Sequence, residues 1–126
     1  MLTAGKTATV KTVVNDKNTA KAVGSGSLDV FSTPMMIALM EQAACECLAD
    51  TLENGQTSVG TLVNVSHLAA SALSKEISAT AVIENVDGRK VSFSVTAHDG
   101  TNEIGTGKHD RFIVDSEKFM KKLGVT

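Results

Sequence analysis

The sequence predicts an α+β fold in which one long helix is wrapped by a curved antiparallel sheet of about five strands. Residues 34–48 form the most apolar stretch of the chain and have the periodicity of a helix. Residues 57–114 alternate between apolar and polar side chains and contain two Asp-Gly turns, which is typical of antiparallel hairpins. Residues 6–14 also alternate and add one strand ahead of the helix.

The long helix has a clear start. Ser32 or Thr33 can cap it, and Pro34 suits the first helical position because an N–H is not needed there. We expect the helix to end near residues 53–55, where Asn54-Gly55 interrupts the pattern. Its apolar residues recur with helical spacing at positions 36, 39, 40, 43, 44, 47 and 48.

The rest of the chain supplies turns, strands and a second helix. A polar turn is expected at residues 15–18 and a flexible Gly-Ser loop at residues 24–27. A short C-terminal helix, capped by Asp115 or Ser116, should extend through Leu123. The strands after the long helix are expected to form an antiparallel meander that covers residues 57–66, 77–83, 91–97 and 102–114.

One long helix wrapped by a curved antiparallel sheet is the hotdog arrangement. A sheet of this length cannot cover the helix alone, and its edge strands need partners. Pairing two sheets edge to edge in a homodimer, or in a higher oligomer, meets both needs. The chain has 126 residues, and we expect one domain that spans residues 1–126.

Composition argues against several classes of protein. The net charge is −2 and there is no basic block, so nucleic-acid binding is not indicated. The longest apolar run, residues 34–40, is too short to span a bilayer, and residues 1–6 lack the layout of a signal peptide. We therefore expect a cytoplasmic protein that binds neither nucleic acids nor membranes.

The two cysteines predict neither a disulfide nor a metal site. On a helix, the side chains of Cys45 and Cys47 would point about 200° apart. No second pair of ligands stands at a suitable spacing. We expect two small buried side chains and no bound metal.

Glu41 is the residue with the most unusual surroundings. A carboxylate among apolar side chains is expected to be largely desolvated, and its charge then needs the support of a hydrogen-bonding partner. Such a group is a candidate for catalysis. Its neighbours three and four residues away on the helix are all apolar: Ile37, Ala38, Ala44 and Cys45.

Short segments on both sides of Glu41 form one pattern, which runs from about residue 30 to residue 120. They are Val30-Phe31-Ser32-Thr33-Pro34, Leu39-Met40-Glu41, Ser58-Val59-Gly60-Thr61, Val65-Ser66-His67, and residues 94–100, 103–111 and 117–119. Together they resemble the fluoroacetyl-CoA thioesterase family of hotdog enzymes, whose spacing they keep.

The resemblance implies a set of site residues. The family's hydroxyl residue, glutamate and histidine fall on Thr33, Glu41 and His67. Its glycine near the acyl group falls on Gly60, and its late arginine falls on Arg111. The resemblance also implies an acyl-CoA substrate and no cofactor, since coenzyme A is carried by the substrate itself.

The residues themselves allow this chemistry. Thioester hydrolysis needs an activated nucleophile, a donor for the oxyanion and a dry pocket. His67 follows an apolar strand face, where it is either a core histidine or, paired with Glu41, a general acid–base group. Thr33 is either a helix cap or part of the site. The first attack can come from Glu41, Thr33 or water.

The distance along the helix limits how these residues meet. Thr33 and Glu41 are eight residues apart, which is about 12 Å of α-helix. Either the substrate spans this gap, or His67 bridges it, or two subunits combine their residues. We favour a site at or near a dimer interface.

Other residues have both functional and ordinary interpretations. The backbone N–H groups of Met35 and Met36 are the expected free donors at the helix start, and their side chains are expected to line the core or an acyl pocket. Arg111 makes either a surface salt bridge or a contact to the substrate or to the catalytic carboxylate. His98 is expected to be structural, and His109 to be structural or to face solvent.

The sequence therefore predicts an acyl-CoA thioesterase that releases a carboxylic acid and free coenzyme A. The fluoroacetyl enzyme has an aromatic gate just before the helix, whereas residues 22–28 of this chain contain no aromatic side chain. The missing gate argues against specificity for fluoroacetyl, and a short or small acyl group is expected. Two alternatives remain open, namely an acyl-thioester hydratase or dehydratase, and a non-catalytic protein that binds acyl-CoA.

Overall fold

A computed structural model describes residues 2–125, and the predicted α+β hotdog arrangement is confirmed. One antiparallel sheet of five strands packs against one helix of 17 residues. Within the described residues the elements follow in the order β1 (Thr7–Val13), α1 (Ala20–Val23), α2 (Thr33–Ala49), β2 (Gln56–His67), β3 (Glu76–Asp87), β4 (Lys90–His98), β5 (Glu103–Asp115) and α3 (Ser116–Lys122).

The strand order is β1-β3-β4-β5-β2, which corrects the predicted meander. Only β3, β4 and β5 are paired in sequence, whereas β2 pairs with β5 and lies at the far edge of the sheet. In that pair Gly60 is opposite Arg111 and His67 is opposite Gly105. A β-bulge at Thr61 shifts the register between Gly60 and Leu62.

Helix α2 buries the face that its sequence predicts. All seven positions with helical apolar spacing are the seven buried residues of the helix. Ser32 is the N-cap, and Pro34 is the second helical residue, not the first. The helix ends at Ala49, several residues before the predicted end, because the N–H and the hydroxyl of Thr51 both donate to the Leu48 carbonyl oxygen, at 3.0 and 2.9 Å.

The core lies between α2 and the inner face of the sheet. Strands β3 and β4 alternate between buried and partly exposed residues, as predicted. Several of the inward residues are alanines, so the helix can approach the sheet closely. The inward residues of these two strands are Ile77, Ala79, Ala81, Ile83, Val91, Phe93, Val95 and Ala97, and none is more than 1% exposed.

The segment ahead of α2 contains more structure than the sequence indicates. A single turn of helix, α1, is capped by the Thr19 hydroxyl, which accepts a hydrogen bond from Ala22 N–H at 3.1 Å. Short β-bridges from Thr19 to Phe31 and from Val30 to Ala72 hold this segment against the body of the fold. The predicted flexible loop therefore follows an ordered turn of helix.

Both cysteines are free thiols, in accord with the prediction that they form no disulfide. Cys47 is buried, and burial raises the pKa of its thiol. Cys45 is exposed, so the expectation that it is buried was wrong, because it lies on the helix face away from the sheet. Within residues 2–125, no helix is both long and apolar enough to cross a membrane.

Candidate active site

Thr33 and His67 form a hydrogen-bonded pair at one end of the molecule. Thr33 is the first residue of α2 and His67 is the last residue of β2. The distance from Thr33 Oγ1 to His67 Nδ1 is 2.7 Å. Ser32 caps the helix instead of Thr33, and its Oγ accepts from Met35 N–H at 3.2 Å. The Thr33 hydroxyl is therefore available to the imidazole.

A cavity of about 330 Å³ lies beside this pair. Ala20, Val30 and Phe31, from the segment ahead of α2, form one side of it. Residues 68–70, which follow β2, form another side. The cavity is lined mostly by apolar side chains, and Thr33 and His67 are among the few polar groups in its wall. A small apolar group can be held here next to a proton acceptor.

His67 has one engaged and one unengaged ring nitrogen. Nε2 is buried and makes no hydrogen bond to any described residue. Burial lowers the pKa of the His67 imidazole below its usual value near 6.5, and the nearby Ala69 backbone only partly opposes this effect. Burial therefore favours the neutral form of the ring, which can accept a proton.

Glu41, in α2, forms an ion pair with Arg111, in β5, and takes no part in the Thr33–His67 pair. Arg111 Nη1 donates to Glu41 Oε2 at 3.2 Å. Arg111 is only 7% exposed and contacts the Glu41 carboxylate, so the surface salt bridge was the wrong interpretation. Its predicted contact to the substrate stays a prediction. The Glu41 side chain is 39% exposed in the single chain, which contradicts the expectation that it is largely desolvated.

The backbone and hydroxyl of Ser58 fix the rest of the Arg111 guanidinium. Arg111 Nε donates to Ser58 Oγ at 2.8 Å, and Nη2 donates to the Ser58 carbonyl oxygen at 3.0 Å. Charge-assisted bonds of this kind are stronger than neutral ones. The guanidinium is thereby held in one orientation beneath Glu41.

Gly60 leaves the room that the carboxylate occupies. A Cβ atom at this position would lie 2.8 Å from Glu41 Oε2 and 3.4 Å from Arg111 Nη1. Because the nearer contact is closer than real Cβ atoms come, any side chain here displaces the carboxylate. The structure thus places Gly60, Glu41 and Arg111 together.

The structure does not bring Glu41 and His67 into hydrogen-bonding contact within one chain. The described partner of His67 is Thr33, and that of Glu41 is Arg111. Thr33 and Glu41 are separated by about 12 Å of helix axis. The predicted residues therefore form two groups, the Thr33–His67 pair and the Glu41–Arg111–Gly60 cluster.

Met35 and Met36 do not provide free donors at the helix start, which corrects the prediction. The Met35 N–H donates to Ser32 Oγ, and the Met36 N–H donates to the Ser32 carbonyl oxygen at 3.0 Å. The Met36 side chain is fully buried against Gly105 and belongs to the core. Met35 is 36% exposed on the outer side of α2 and does not line the cavity.

His109 is a buried neighbour of Arg111 that the sequence pattern did not single out. It is 1% exposed, so of the two interpretations of His109 the structural one holds and the solvent-facing one is wrong. Its Nε2 lies 3.3 Å from Arg111 Nη1. One signal was available: His109, Arg111 and Ile113 alternate along β5 and so share the inward face.

His98 is exposed, and its Nε2 lies 3.9 Å from Glu103 Oε1. It belongs neither to the Thr33–His67 pair nor to the Glu41–Arg111–Gly60 cluster. Residues 2–125 hold no group of three or more His, Cys, Asp or Glu side chains arranged to bind a metal ion.

Comparisons with known proteins converge on one group of enzymes. A family model described as fluoroacetyl-CoA-specific thioesterase matches residues 14–117. The chain is 42% identical over 95 residues to a fluoroacetyl-CoA thioesterase from Streptantibioticus cattleyicolor, a match that covers 75% of this chain and 68% of that protein.

Solved structures give the same result. A phenylalanine-to-alanine mutant of the fluoroacetyl-CoA-specific thioesterase, in complex with fluoroacetate and CoA, matches with a TM-score of 0.89 and 35% identity, over 94% of this chain and 99% of that chain. A thioesterase superfamily member from Thermus thermophilus matches with a TM-score of 0.89 and 26% identity, over 97% and 90% of the two chains.

Proposed function

This chain belongs to the fluoroacetyl-CoA-specific thioesterase family, and we propose that it hydrolyses a small acyl-CoA to a carboxylic acid and free coenzyme A. The observation that carries the proposal is the 2.7 Å hydrogen bond between Thr33 and His67 at the wall of an apolar cavity. The comparisons favour neither a hydratase nor a non-catalytic binding protein.

The Thr33–His67 pair fits the general acid–base step of thioester hydrolysis. A neutral imidazole takes a proton from the Thr33 hydroxyl, or from a water bound next to it, as that oxygen attacks the thioester carbonyl carbon. The protonated ring then gives the proton to the departing sulfur when the C–S bond breaks. If the attacking oxygen is that of Thr33, the product of this step is an acyl ester of Thr33. A water that gives its proton to the imidazole then cleaves the ester, which releases the acid and restores the hydroxyl. Burial favours the neutral ring before the attack, and so favours this direction of transfer.

The exposed edge of β2 supports a homodimer. This edge strand is 12 residues long and carries no charged side chain, and Leu62 and Val63 on it are 46% and 42% exposed. Long uncharged edges are covered in native proteins because their free N–H and C=O groups template pairing with another chain. A second copy of β2 is the proposed cover.

Such a dimer joins the two groups of site residues. When two β2 strands pair antiparallel about a two-fold axis, the end of each strand that carries His67 lies alongside the half of the other strand that carries Gly60. Glu41 is next to Gly60, so the partner's Glu41 approaches the Thr33–His67 pair. The proposed active site is therefore composite, with Thr33 and His67 from one subunit and Glu41 from the other.

The cavity wall supports a short acyl group without fluoroacetyl specificity. The segment ahead of α2 contributes the small side chains of Ala20 and Ser25 to the wall. Leu28, the largest side chain of the loop that follows α1, is 66% exposed. Phe31 is the aromatic residue nearest the pair in sequence, and it is buried at the cavity wall.

A cytoplasmic location is part of the proposal. Cys45 and Cys47 are both free, and Cys45 is exposed, which suits a compartment that keeps thiols reduced.

The test is the release of free thiol from a panel of acyl-CoAs. We expect turnover on a subset of short acyl groups, and we expect His67→Ala to lower kcat by roughly 100-fold to 10,000-fold. His98→Ala is the matched control, because His98 is exposed and its contact to a carboxylate within the described residues is the 3.9 Å one to Glu103. A protein-only blank corrects for the Cys45 thiol. Absence of turnover on every acyl-CoA, or equal turnover in His67→Ala, would contradict the proposal.

A further inference from the structure

We propose that His109 is a positioning residue, which holds the Arg111 guanidinium in the orientation that presents it to Glu41. The inference deepens the proposed thioesterase function and rests on it. It concerns a buried histidine that touches neither the cavity nor the Thr33–His67 pair, and it explains why an imidazole lies in the core of β5.

The hydrogen bonds of His109 define its protonation. Its Nδ1 lies 2.8 Å from the Leu62 carbonyl oxygen, and its Nε2 lies 3.3 Å from Arg111 Nη1. A carbonyl oxygen can only accept, and a guanidinium can only donate. Both contacts are hydrogen bonds only when the ring is neutral with its proton on Nδ1.

The Nη1 group of Arg111 is shared by two acceptors. One hydrogen is directed at Glu41 Oε2 at 3.2 Å, and the other at His109 Nε2 at 3.3 Å. Ser58 takes the Nε and Nη2 sides of the guanidinium. Arg111 is 7% exposed, so loss of the His109 acceptor would leave a buried N–H of the guanidinium unpaired. Because an unpaired buried donor is energetically costly, the guanidinium would rotate toward another acceptor and away from Glu41.

The imidazole is itself fixed from two sides. It stacks on Phe93, with the ring centroids 6.1 Å apart and the planes 26° from parallel. The Leu62 carbonyl that accepts from Nδ1 follows the bulge at Thr61 in β2. A bulge re-directs the groups next to it, so this irregularity of β2 serves to place the acceptor.

Two substitutions separate positioning from simple packing. The Gln side chain can place an acceptor where His109 Nε2 lies, whereas the shorter Asn side chain reaches only the position of Nδ1. Both remove the stacking on Phe93 and both leave a polar group in the core. Asn keeps a donor for the Leu62 carbonyl oxygen but no acceptor for Arg111, and Gln does the reverse. A larger loss in His109→Asn than in His109→Gln therefore reports the contact to Arg111 and not the loss of the ring.

The kinetic test measures kcat and KM for His109→Gln and His109→Asn, with His98→Gln as the surface control. We expect His109→Asn to lower kcat about tenfold or more and to change KM by less than about threefold, since the lost contact acts on the fixed charge near the reacting group. His109→Gln should stay within about threefold of the wild-type kcat. Equal losses of kcat in the Gln and Asn variants would overturn the proposal.

A second readout does not depend on turnover. Nitrogen NMR of the folded wild-type protein should show His109 protonated on Nδ1 and unprotonated on Nε2. Rotation about the Cζ–Nη1 bond of Arg111 should be slow in wild type and in His109→Gln, and faster in His109→Asn. A wild type that hydrolyses no thioester but shows this pattern contradicts the proposed function and supports the inference. A proton on Nε2 overturns the inference whatever the activity.

Discussion

The Thr33–His67 pair and the Glu41–Arg111 cluster differ in how completely their hydrogen bonds are made. His67 has a buried ring nitrogen with no hydrogen-bond partner among residues 2–125, and burial lowers its pKa. In the cluster, Arg111 donates to Glu41, to Ser58 twice and to His109. A side chain that gains and loses a proton, as proposed for His67, needs a ring nitrogen that other hydrogen bonds do not occupy. A side chain that supplies a fixed charge, such as Arg111, is held in place by many hydrogen bonds.

Helix α2 carries one residue of each group. Thr33 begins α2 and Glu41 lies two turns further on, so one rigid element positions both. Strand β2 likewise carries Gly60 and His67. One helix and one edge strand therefore hold every residue of the proposed site except those from β5, and the proposed dimer unites the two groups.

Among the substitutions that nearly keep the size of a side chain, the largest effect should come from removing the hydroxyl of the first group. Thr33→Val keeps the shape of the side chain and deletes the hydrogen bond to His67 Nδ1, and we expect kcat to fall about 100-fold. Thr33→Ser restores the hydroxyl and should stay within about tenfold of wild type. Thr9→Val, which removes a surface hydroxyl bonded to Thr80, is the control. Wild-type kcat in Thr33→Val would show that the pair is not catalytic.

A smaller effect is expected from disturbing the second group. In Gly60→Ala the new methyl group overlaps Glu41 Oε2 and moves the carboxylate off Arg111, and we expect kcat to fall about tenfold. A double-mutant cycle with Glu41→Ala checks the cause. If Gly60→Ala still lowers kcat about tenfold in the Glu41→Ala background, the glycine acts on something other than the carboxylate.

A still smaller effect is expected at Ser58. Ser58→Ala removes the acceptor for Arg111 Nε but keeps the carbonyl acceptor for Nη2. We expect a loss of about 1 kcal/mol in the free energy of unfolding and a change in kcat of less than about threefold. Urea denaturation and steady-state kinetics measure the two quantities. A larger loss in kcat than at Gly60 would mean that Arg111 is held mainly by this hydroxyl.

The subtlest expected effect is a displacement of the pH profile. Because burial lowers the pKa of His67, the catalytic neutral ring should persist as the pH falls below 6.5, and kcat/KM should decline only at a more acidic midpoint. The same shift affects stability. His67 has a higher pKa in the unfolded chain, near 6.5, than in the folded protein, so the unfolded chain binds the proton first as the pH falls. The contribution of His67 to the free energy of unfolding is therefore complete above pH 6.5 and is lost as the pH falls through the pKa of the folded state. An activity midpoint above 6.5 would contradict the assignment to His67.

Local patterns predicted much of this fold. The buried face of α2 follows from helical spacing, and the inward residues of β3 and β4 follow from alternation. Both patterns depend only on residues close in sequence.

Contacts between distant residues were less accessible. The placement of β2 beside β5, which puts Gly60 opposite Arg111, depends on register over a long separation. Residue type did not show whether Ser32 or Thr33 caps the helix, since either hydroxyl can do so. His109 looked ordinary because it stands between Lys108 and Asp110, and only its place on the inward side of β5 reveals its burial.

The most direct test of the composite site mixes two variants with strongly reduced turnover, His67→Ala and Glu41→Gln. In a mixed dimer, one site receives His67 from the Glu41→Gln subunit and Glu41 from the His67→Ala subunit, so it is intact. Random subunit exchange should restore about a quarter of wild-type activity. No recovery, in a sample where native mass spectrometry shows that mixed dimers have formed, would contradict a site shared between subunits.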